Sequence, residues 1–118
     1  MYNPKMAGQP KPLHFLGASR ASLLEFPEAV QDDAGFALYQ IQLGREPSDW
    51  KPMPSVGAGV GEIRVRDAAG AFRLFYVAKF IEAVYVLHCF QKKAQQTASR
   101  DIDIGRERFK QLLKERSR

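Results

Sequence analysis

The chain has 118 residues, of which 45% are apolar and 26% charged, so it fits one folded core and is too apolar for a disordered protein. Its net charge of +5 favours an anionic partner, namely nucleic acid, ribosome, acidic protein or membrane surface, although solubility alone also explains such a charge. A single cysteine excludes an intrachain disulfide, and no apolar run approaches the ~20 residues that span a bilayer. These features predict a cytoplasmic protein.

The N-terminal part of the sequence predicts a leader, a short strand and two helices. Residues 1–11 are rich in Pro and Gly and predict a flexible leader, and the apolar run Leu13 to Leu16 predicts a short strand. Ser19 is a candidate N-cap for a short helix over Arg20 to Glu25. Apolar residues at helical spacing then predict a longer helix that ends near Gly44.

The middle of the sequence predicts a loop followed by an antiparallel meander. Residues 45–59 contain three prolines and no periodicity, which predicts a surface loop in which Trp50 either packs on the core or waits for a partner. Alternating residues over Val60 to Asp67 predict a half-buried strand, and Phe72 to Phe80 predicts the next one. Val84 to Phe90 is apolar on both faces, which predicts a central strand.

The C-terminal part predicts one more helix, from Ser99 to Arg116, with Ser99 as N-cap and Asp101 in the first turn. Gly105 weakens this helix by ~1 kcal/mol relative to alanine. The element order is strand, two helices, three strands and helix. It predicts a single α+β domain over residues 12–118, in which a twisted, mainly antiparallel sheet packs against two N-terminal helices and a C-terminal helix.

Missing motifs argue against several kinds of site. The chain has two histidines, one cysteine, and neither CxxC nor HExxH, which argues against a zinc site. It has no phosphate-binding P-loop, and the glycine-rich segment 57–61 enters a strand instead of linking a strand to a helix. We therefore expect no metal ion and no cofactor.

Cations on the predicted strands are the first candidates for a site. Arg64 and Arg66 lie on the polar face of the first meander strand, and Arg73 lies on the second strand among apolar residues. Because an unpaired buried guanidinium is costly, Arg73 either forms a salt bridge, for instance to Glu62 across the hairpin, or is held towards a ligand. The two interpretations are compatible with each other.

Other polar residues extend this set. Lys92 and Lys93 directly follow the third strand, and with the arginines they would complete a cationic groove suited to phosphates. Lys79 shares a strand face with Arg73, and Gln91 precedes the lysine pair, so both are candidates for binding an anionic polymer. His88 shares a strand face with Val84 and Val86, where it is either a hydrogen-bonded core residue or a general acid or base.

Three blocks of the sequence carry a family resemblance: GEIRVRD (61–67), FRLFYV (72–77) and YVLHCFQKK (85–93). Together they resemble the phage-derived Gp49-like, or HigB, branch of the RelE/ParE toxin superfamily. The segment TASRDI (97–102) also looks like that branch, except that Ala98 replaces a proline that the family usually has at the entry to the last helix. The resemblance covers roughly Trp50 to Lys114.

This resemblance implies a RelE-like fold and an mRNA endonuclease that usually works on the ribosome and is neutralised by a HigA-like helix-turn-helix antitoxin. It matches Arg64 and Arg73 to the arginines of the family's strand motifs, and Lys92 and Lys93 to its basic pair. Cleavage without a metal would use the neighbouring 2′-hydroxyl as nucleophile. Arg73 would be the main phosphate clamp, supported by Arg64, with Lys92 or Lys93 as acid or phosphate ligand and His88 as acid or base. Arg66, Lys79 and Gln91 would bind RNA.

The sequence departs from RelE in one functional respect. RelE has a functional tyrosine near its C-terminus, whereas this chain has no aromatic residue after Phe109, which leaves the proton-transfer roles open. Three alternatives also remain open. The chain is compatible with a ParE-like toxin that binds DNA gyrase, with a non-enzymatic basic phage-derived binding protein, and with a degenerate toxin that retains only antitoxin binding.

Overall fold

The computed structural model describes residues 9–118, so most of the predicted leader lies outside the described residues. The elements follow in the order β1 (Leu13–Phe15), α1 (Ser19–Leu24), α2 (Glu28–Gln42), β2 (Trp50–Pro52), β3 (Val60–Asp67), β4 (Gly70–Val77), β5 (Val84–Lys92) and α3 (Ser99–Arg116). Lys11, which the sequence assigns to the leader, is tied to the fold. Its ammonium group donates hydrogen bonds to the carbonyls of Ala78 and Phe80 at 2.7 and 2.9 Å.

The strands form one five-stranded sheet in the order β1-β5-β4-β3-β2. Strands β2 to β5 pair in antiparallel fashion, and β1 pairs in parallel with the first residues of β5. The predicted α+β fold, with a mainly antiparallel sheet, two N-terminal helices and a C-terminal helix, is confirmed. The prediction of a loop over the whole of residues 45–59 is wrong, because β2 lies within it at the sheet edge, where Pro52 is tolerated.

Two apolar clusters lie on opposite faces of the sheet. One lies beneath α1 and α2, and it joins Val30 and Leu38 to Ile63 and Leu74. Trp50 packs against this cluster, so the interpretation that it packs on the core is confirmed. The other cluster lies beneath α3 and contains Phe75, Leu87, Phe109 and Leu112. Residues along each strand therefore alternate between the α2 face and the α3 face.

Both serines that the sequence suggested as N-caps are instead the first residues of their helices. Ser19 is fully buried, and its hydroxyl donates to the carbonyl of Val86 at 3.2 Å, so a tertiary hydrogen bond takes the place of a cap. The capping positions are held by Ala18 and Ala98, neither of which makes a side-chain hydrogen bond. The predicted helix starts are therefore one residue off, which does not change the fold.

Gly105 lies in α3 at a point where the helix packs closely against Phe75 of β4. A Cβ atom there would lie 2.8 Å from Phe75 and 2.9 Å from Val56. The sequence showed only that glycine weakens a helix, whereas the structure shows that the missing side chain lets α3 pack closely on β4. This close approach places the first turn of α3 beside β5.

A β-bulge in β5 determines where His88 lies. Phe75 pairs with His88 and Tyr76 pairs with Val86, so Leu87 is an extra residue in β5. After the bulge, the alternation of faces is shifted. The prediction that His88 shares a face with Val84 and Val86 is wrong, since those valines belong to the cluster beneath α1 and α2 whereas His88 faces α3.

Within residues 9–118, no helix has both the length and the apolar character that crossing a membrane requires.

Candidate nucleic-acid interface

The strand register brings four of the predicted cations together on the α3 face of the sheet, namely Arg64, Arg66, Arg73 and Lys92. Pairing places residues opposite one another in three rows across β3, β4 and β5: Glu62–Phe75–His88, Arg64–Arg73–Phe90 and Arg66–Ala71–Lys92. Cβ atoms of opposed residues on antiparallel strands lie about 4.5–5.5 Å apart, and those of diagonal neighbours about 7–8 Å. Helix α3 covers the first row, which leaves the second and third rows at the rim of the sheet.

Glu62 lies at the centre of this cationic cluster and is only 1% exposed. Its Oε1 atom lies 3.6 Å from Nε of Arg73, 3.7 Å from Nε of Arg64 and 4.0 Å from Nζ of Lys51. These are ion pairs at distances too long for good hydrogen bonds. Within the described part of the chain, the other carboxylate oxygen and both arginine Nε atoms are buried without a hydrogen-bond partner.

Two interpretations of Arg73 followed from the sequence, and the salt bridge is confirmed, because Arg73 pairs with Glu62 across the hairpin. The residue is 4% exposed, and its Nη1 donates to the carbonyl of Phe72 at 3.1 Å. Burial lowers the pKa of Arg73, Glu62 opposes this, and the neighbouring Arg64 and Arg66 lower it further. Arg73 therefore lies in the floor of the cluster and not at its surface.

The cluster contains more positive than negative charge. Lys51, Arg64, Arg73 and Lys92 face the carboxylate of Glu62, and an exposed second carboxylate, that of Asp49, lies 3.7 Å from Arg64. The pKa of Lys92 is lowered by burial and then by the positive charge of Arg73, and Glu62 compensates only in part. A bound anion would relieve this repulsion.

The remaining predicted residues lie at different distances from the cluster. Arg66 and Lys93 are exposed at its rim, while Gln91 donates to the carbonyl of Ala69 at 3.0 Å and so holds the β3–β4 turn. Lys79 follows the opposite end of β4, where its ammonium group lies 5.8 Å from the centre of the Phe109 ring. The structure does not bring Lys79 to the other cations.

His88 forms a dyad with Asp101 from the first turn of α3. The His88 Nε2–H donates to Oδ1 of Asp101, with 2.7 Å between nitrogen and oxygen, and Nδ1 is buried without a partner. Burial lowers the pKa of His88, although Asp101 acts in the opposite direction, so the imidazole is neutral at neutral pH. The dyad ties α3 to β5. This pair could not be predicted from the sequence, because the contact depends on the bulge.

Two grooves open beside these residues. The first has a volume of about 750 Å³ and follows β5 from His88 to its end at Lys92 and the two residues after it, between the end of α1 and the segment before α3. The second has a volume of about 560 Å³ and lies between α2 and β3, with Arg64 and Arg66 in its wall. The cationic cluster lies between the two grooves, and Arg73 lines neither.

Residues 21–110 match the model of a family described as phage-derived Gp49-like proteins. The chain belongs to this Gp49-like family. The match includes β2 to β5 and most of α3, so it contains the whole cationic cluster and the His88–Asp101 dyad. A search of curated proteins found no match for this Gp49-like protein.

Among solved structures, this Gp49-like protein is similar to the E. coli toxin RelE, in the free state of a mutant with two arginines changed to alanine. The two chains are 16% identical with a TM-score of 0.57, and the similarity covers 80% of this chain and 97% of that chain. The expected RelE-like fold is confirmed. At this identity the similarity concerns the fold alone, so the activity has to be argued from the site.

Proposed function

We propose that this Gp49-like protein is the toxin of a type II toxin–antitoxin system and that it cleaves mRNA in the cytoplasm. Its substrate would be mRNA on the ribosome, and its partner a HigA-like helix-turn-helix antitoxin. Family and fold support the toxin class. The observation that supports RNA cleavage is the convergence of four cations from four neighbouring strands around one buried carboxylate: Lys51, Arg64, Arg73 and Lys92.

The cluster suits one phosphodiester group. The Arg64 side chain is 31% exposed, and Lys92 lies diagonally across β4 from it, so both are placed to bind phosphate oxygens at the surface. Arg73 acts from the floor, where a preorganised positive charge stabilises the extra negative charge of the transition state. Loss of one preorganised donor typically costs about 3–4 kcal/mol of transition-state stabilisation.

The proposed reaction needs no metal ion. The ribose 2′-oxygen attacks the adjacent phosphorus and loses its proton to a base, and the bond from phosphorus to the 5′-oxygen breaks as that oxygen takes up a proton. The products are a 2′,3′-cyclic phosphate and a 5′-hydroxyl. The lowered pKa of Lys92 makes it a better proton donor than an ordinary lysine, and Lys93 lies next to it. His88 is 7% exposed and bound to Asp101, which supports a role in positioning α3 over proton transfer.

Mapping of mRNA 5′ ends after induced expression tests the proposal. Wild-type protein is expected to arrest growth and to produce new 5′ ends within translated mRNA. Arg64→Ala should abolish both effects, whereas the matched control Arg20→Ala, which removes an exposed arginine from α1, should leave them intact. Circular dichroism should show that both variants are folded.

Induced expression in the same cells also distinguishes the alternative functions. A ParE-like toxin would arrest growth without new mRNA ends and would inhibit gyrase supercoiling by the purified protein. A binding protein or a degenerate toxin would not arrest growth at all. Purified toxin is expected to cleave free RNA poorly, since the ribosome would supply missing catalytic groups. Rapid cleavage of naked RNA would contradict the dependence on the ribosome.

A further inference from the structure

The groove of about 750 Å³ beside β5 has an unusual lining, because seven consecutive residues of the chain, His88 to Ala94, contribute to it. Neighbouring side chains of a strand point to opposite faces, so a groove lined by consecutive residues follows the strand's edge. Among the described strands, β1 pairs with β5 only over Val84–Val86. Beyond Val86, this edge of β5 pairs with no other described strand. The Leu87 carbonyl accepts a hydrogen bond from Arg108 at 2.9 Å, and the residues from His88 onward line the groove.

We propose that this edge groove binds single-stranded RNA, taking one or two nucleotides next to the phosphate held on the cationic cluster. The inference rests on the proposed function. It adds a binding site for the nucleotides next to the cleaved phosphodiester, through which the protein would prefer some RNA sequences over others. The volume lies within the range of ligand-binding clefts, which is about 300–1,000 Å³. The groove therefore has room for a base together with its ribose and phosphate.

The lining provides the chemistry that an unpaired nucleotide needs. Lys92, Lys93 and Arg100 place three cations along the groove against the two carboxylates of Glu25 and Asp101, the second of which is bound to His88. The lining therefore keeps a positive excess, which suits backbone phosphates. Phe26 and Phe72, which are largely buried and pack on each other, also line the groove, and aromatic or apolar walls are the usual surroundings of splayed-out bases. From His88 onward, backbone groups of β5 on the side that pairs with no described strand would donate to and accept from the edge of a base, which gives a means of sequence preference.

Continuity favours RNA over an extended peptide as the occupant. Lys92 belongs to both sites, since it lines the groove and also lies close enough to Arg73 for its pKa to be affected. One polyanion can thus cross the cluster and continue along β5. A peptide strand without acidic residues would also suit a free sheet edge, but it would not explain the run of cations from Arg64 to Lys93.

The experiment measures binding separately from cleavage. Fluorescence anisotropy would compare 5′-fluorescein RNAs of three and seven nucleotides, 2′-O-methylated throughout so that cleavage is blocked. We expect wild-type protein to bind the longer RNA about tenfold more tightly, the size of effect given by one stacked base. Two variants should bind the long and the short RNA about equally, and so lose this gain in affinity with length. Lys93→Ala/Arg100→Ala removes charge from the groove, and Ser22→Trp fills the groove from α1.

Matched controls lie at exposed positions that do not line the groove. Arg20→Ala/Arg45→Ala removes the same charge, and Ala29→Trp adds the same bulk on α2, so both should keep the gain. Equal gains in the groove variants and wild type would overturn the proposal. Displacement of the longer RNA by decaglutamate at lower concentration than by unlabelled RNA would also overturn it, and would assign the groove to an acidic peptide.

Mapping of mRNA ends with the same proteins distinguishes failure of this inference from failure of the proposed function. If wild-type protein cleaves mRNA and the groove variants bind like wild type, the groove proposal fails while the function stands. If wild-type protein shows the length-dependent gain but produces no new mRNA ends, the groove proposal stands and cleavage fails. A change of preferred cleavage sequence in Ser22→Trp, with cleavage retained, would support both.

Discussion

Removal of the Arg73 side-chain charge should destabilise the protein strongly, because it leaves a buried carboxylate short of its nearest cation. Glu62 is 1% exposed, and Arg73 is its closest ionic neighbour at 3.6 Å, while Arg64 and Lys51 lie farther away. Breaking a buried ion pair by removing one partner typically costs about 3–5 kcal/mol. We therefore expect Arg73→Met to lower the free energy of unfolding by about 3 kcal/mol, since the two remaining cations offset part of the loss.

Urea denaturation measures this effect. With an m value of about 1.5 kcal/mol/M, a loss of about 3 kcal/mol lowers the midpoint by about 2 M urea. The double variant Glu62→Gln/Arg73→Met removes both charges and should recover most of the lost stability. Arg66→Met is the matched control, because its side chain is exposed on the same face, and it should change stability by less than about 0.5 kcal/mol.

Two results would refute this reasoning. A loss below about 1 kcal/mol in Arg73→Met would mean that the pair is not a stabilising buried ion pair. A double variant as unstable as Arg73→Met would mean that Arg73 contributes by packing and not by charge. The double variant also serves the functional question. If the Arg73 guanidinium acts on the phosphate, this folded protein should produce no new mRNA ends.

Three further predictions concern α3 and its contacts. Gly105→Ala should destabilise the protein by about 1–3 kcal/mol despite better helix propensity, whereas Gly35→Ala, which has open space around it, should stabilise it by about 0.5–1 kcal/mol in thermal unfolding. Glu82 has its pKa lowered to about 2, chiefly by hydrogen bonds from the arginine at the end of α3. Its contribution to stability is present above the unfolded pKa of about 4.5 and lost as pH falls towards 2, so Glu82→Gln should flatten the acid limb of the pH–stability curve. Burial lowers the pKa of His88 and Asp101 opposes this, so the pKa should fall further in Asp101→Asn. The free energy of unfolding of this variant should therefore decrease more than that of wild type as the pH falls from 6.5 to 5, as measured by urea midpoints. Equal decreases would argue against the dyad.

Local sequence patterns were sufficient to predict the meander and its helices. Strict alternation marked β3, and the short connection through Gly70 fixed the β3–β4 hairpin, so a sequence argument could place Glu62 near Arg73. The three-residue strand β2 escaped prediction, because a short edge strand that ends in Pro52 has no periodicity to detect. This segment is a strand only because it pairs with β3, and such pairing between distant parts of the chain leaves no local pattern in the sequence.

The candidate site could be predicted only in part for the same reason. The arginines lie on neighbouring strands of one hairpin, and the resemblance to a family singled them out. Lys51 was missed because β2 was missed, and Asp101 because the bulge in β5 turns His88 towards α3. Strand length suggested that Lys79 shares the site, but β4 ends at Val77 and leaves this lysine at the far end of the sheet.

The parallel pairing of β1 with β5 has a consequence for synthesis of the protein. Residues 13–15 leave the ribosome early, and their partners at positions 84–86 follow only after the whole meander has been made. Pairings between segments so distant in sequence form late, because the intervening chain must be ordered first. The cationic cluster also requires β5, which provides Lys92. A nascent chain therefore lacks the complete cluster until β5 has been made, so the cluster is among the last features of the fold to form.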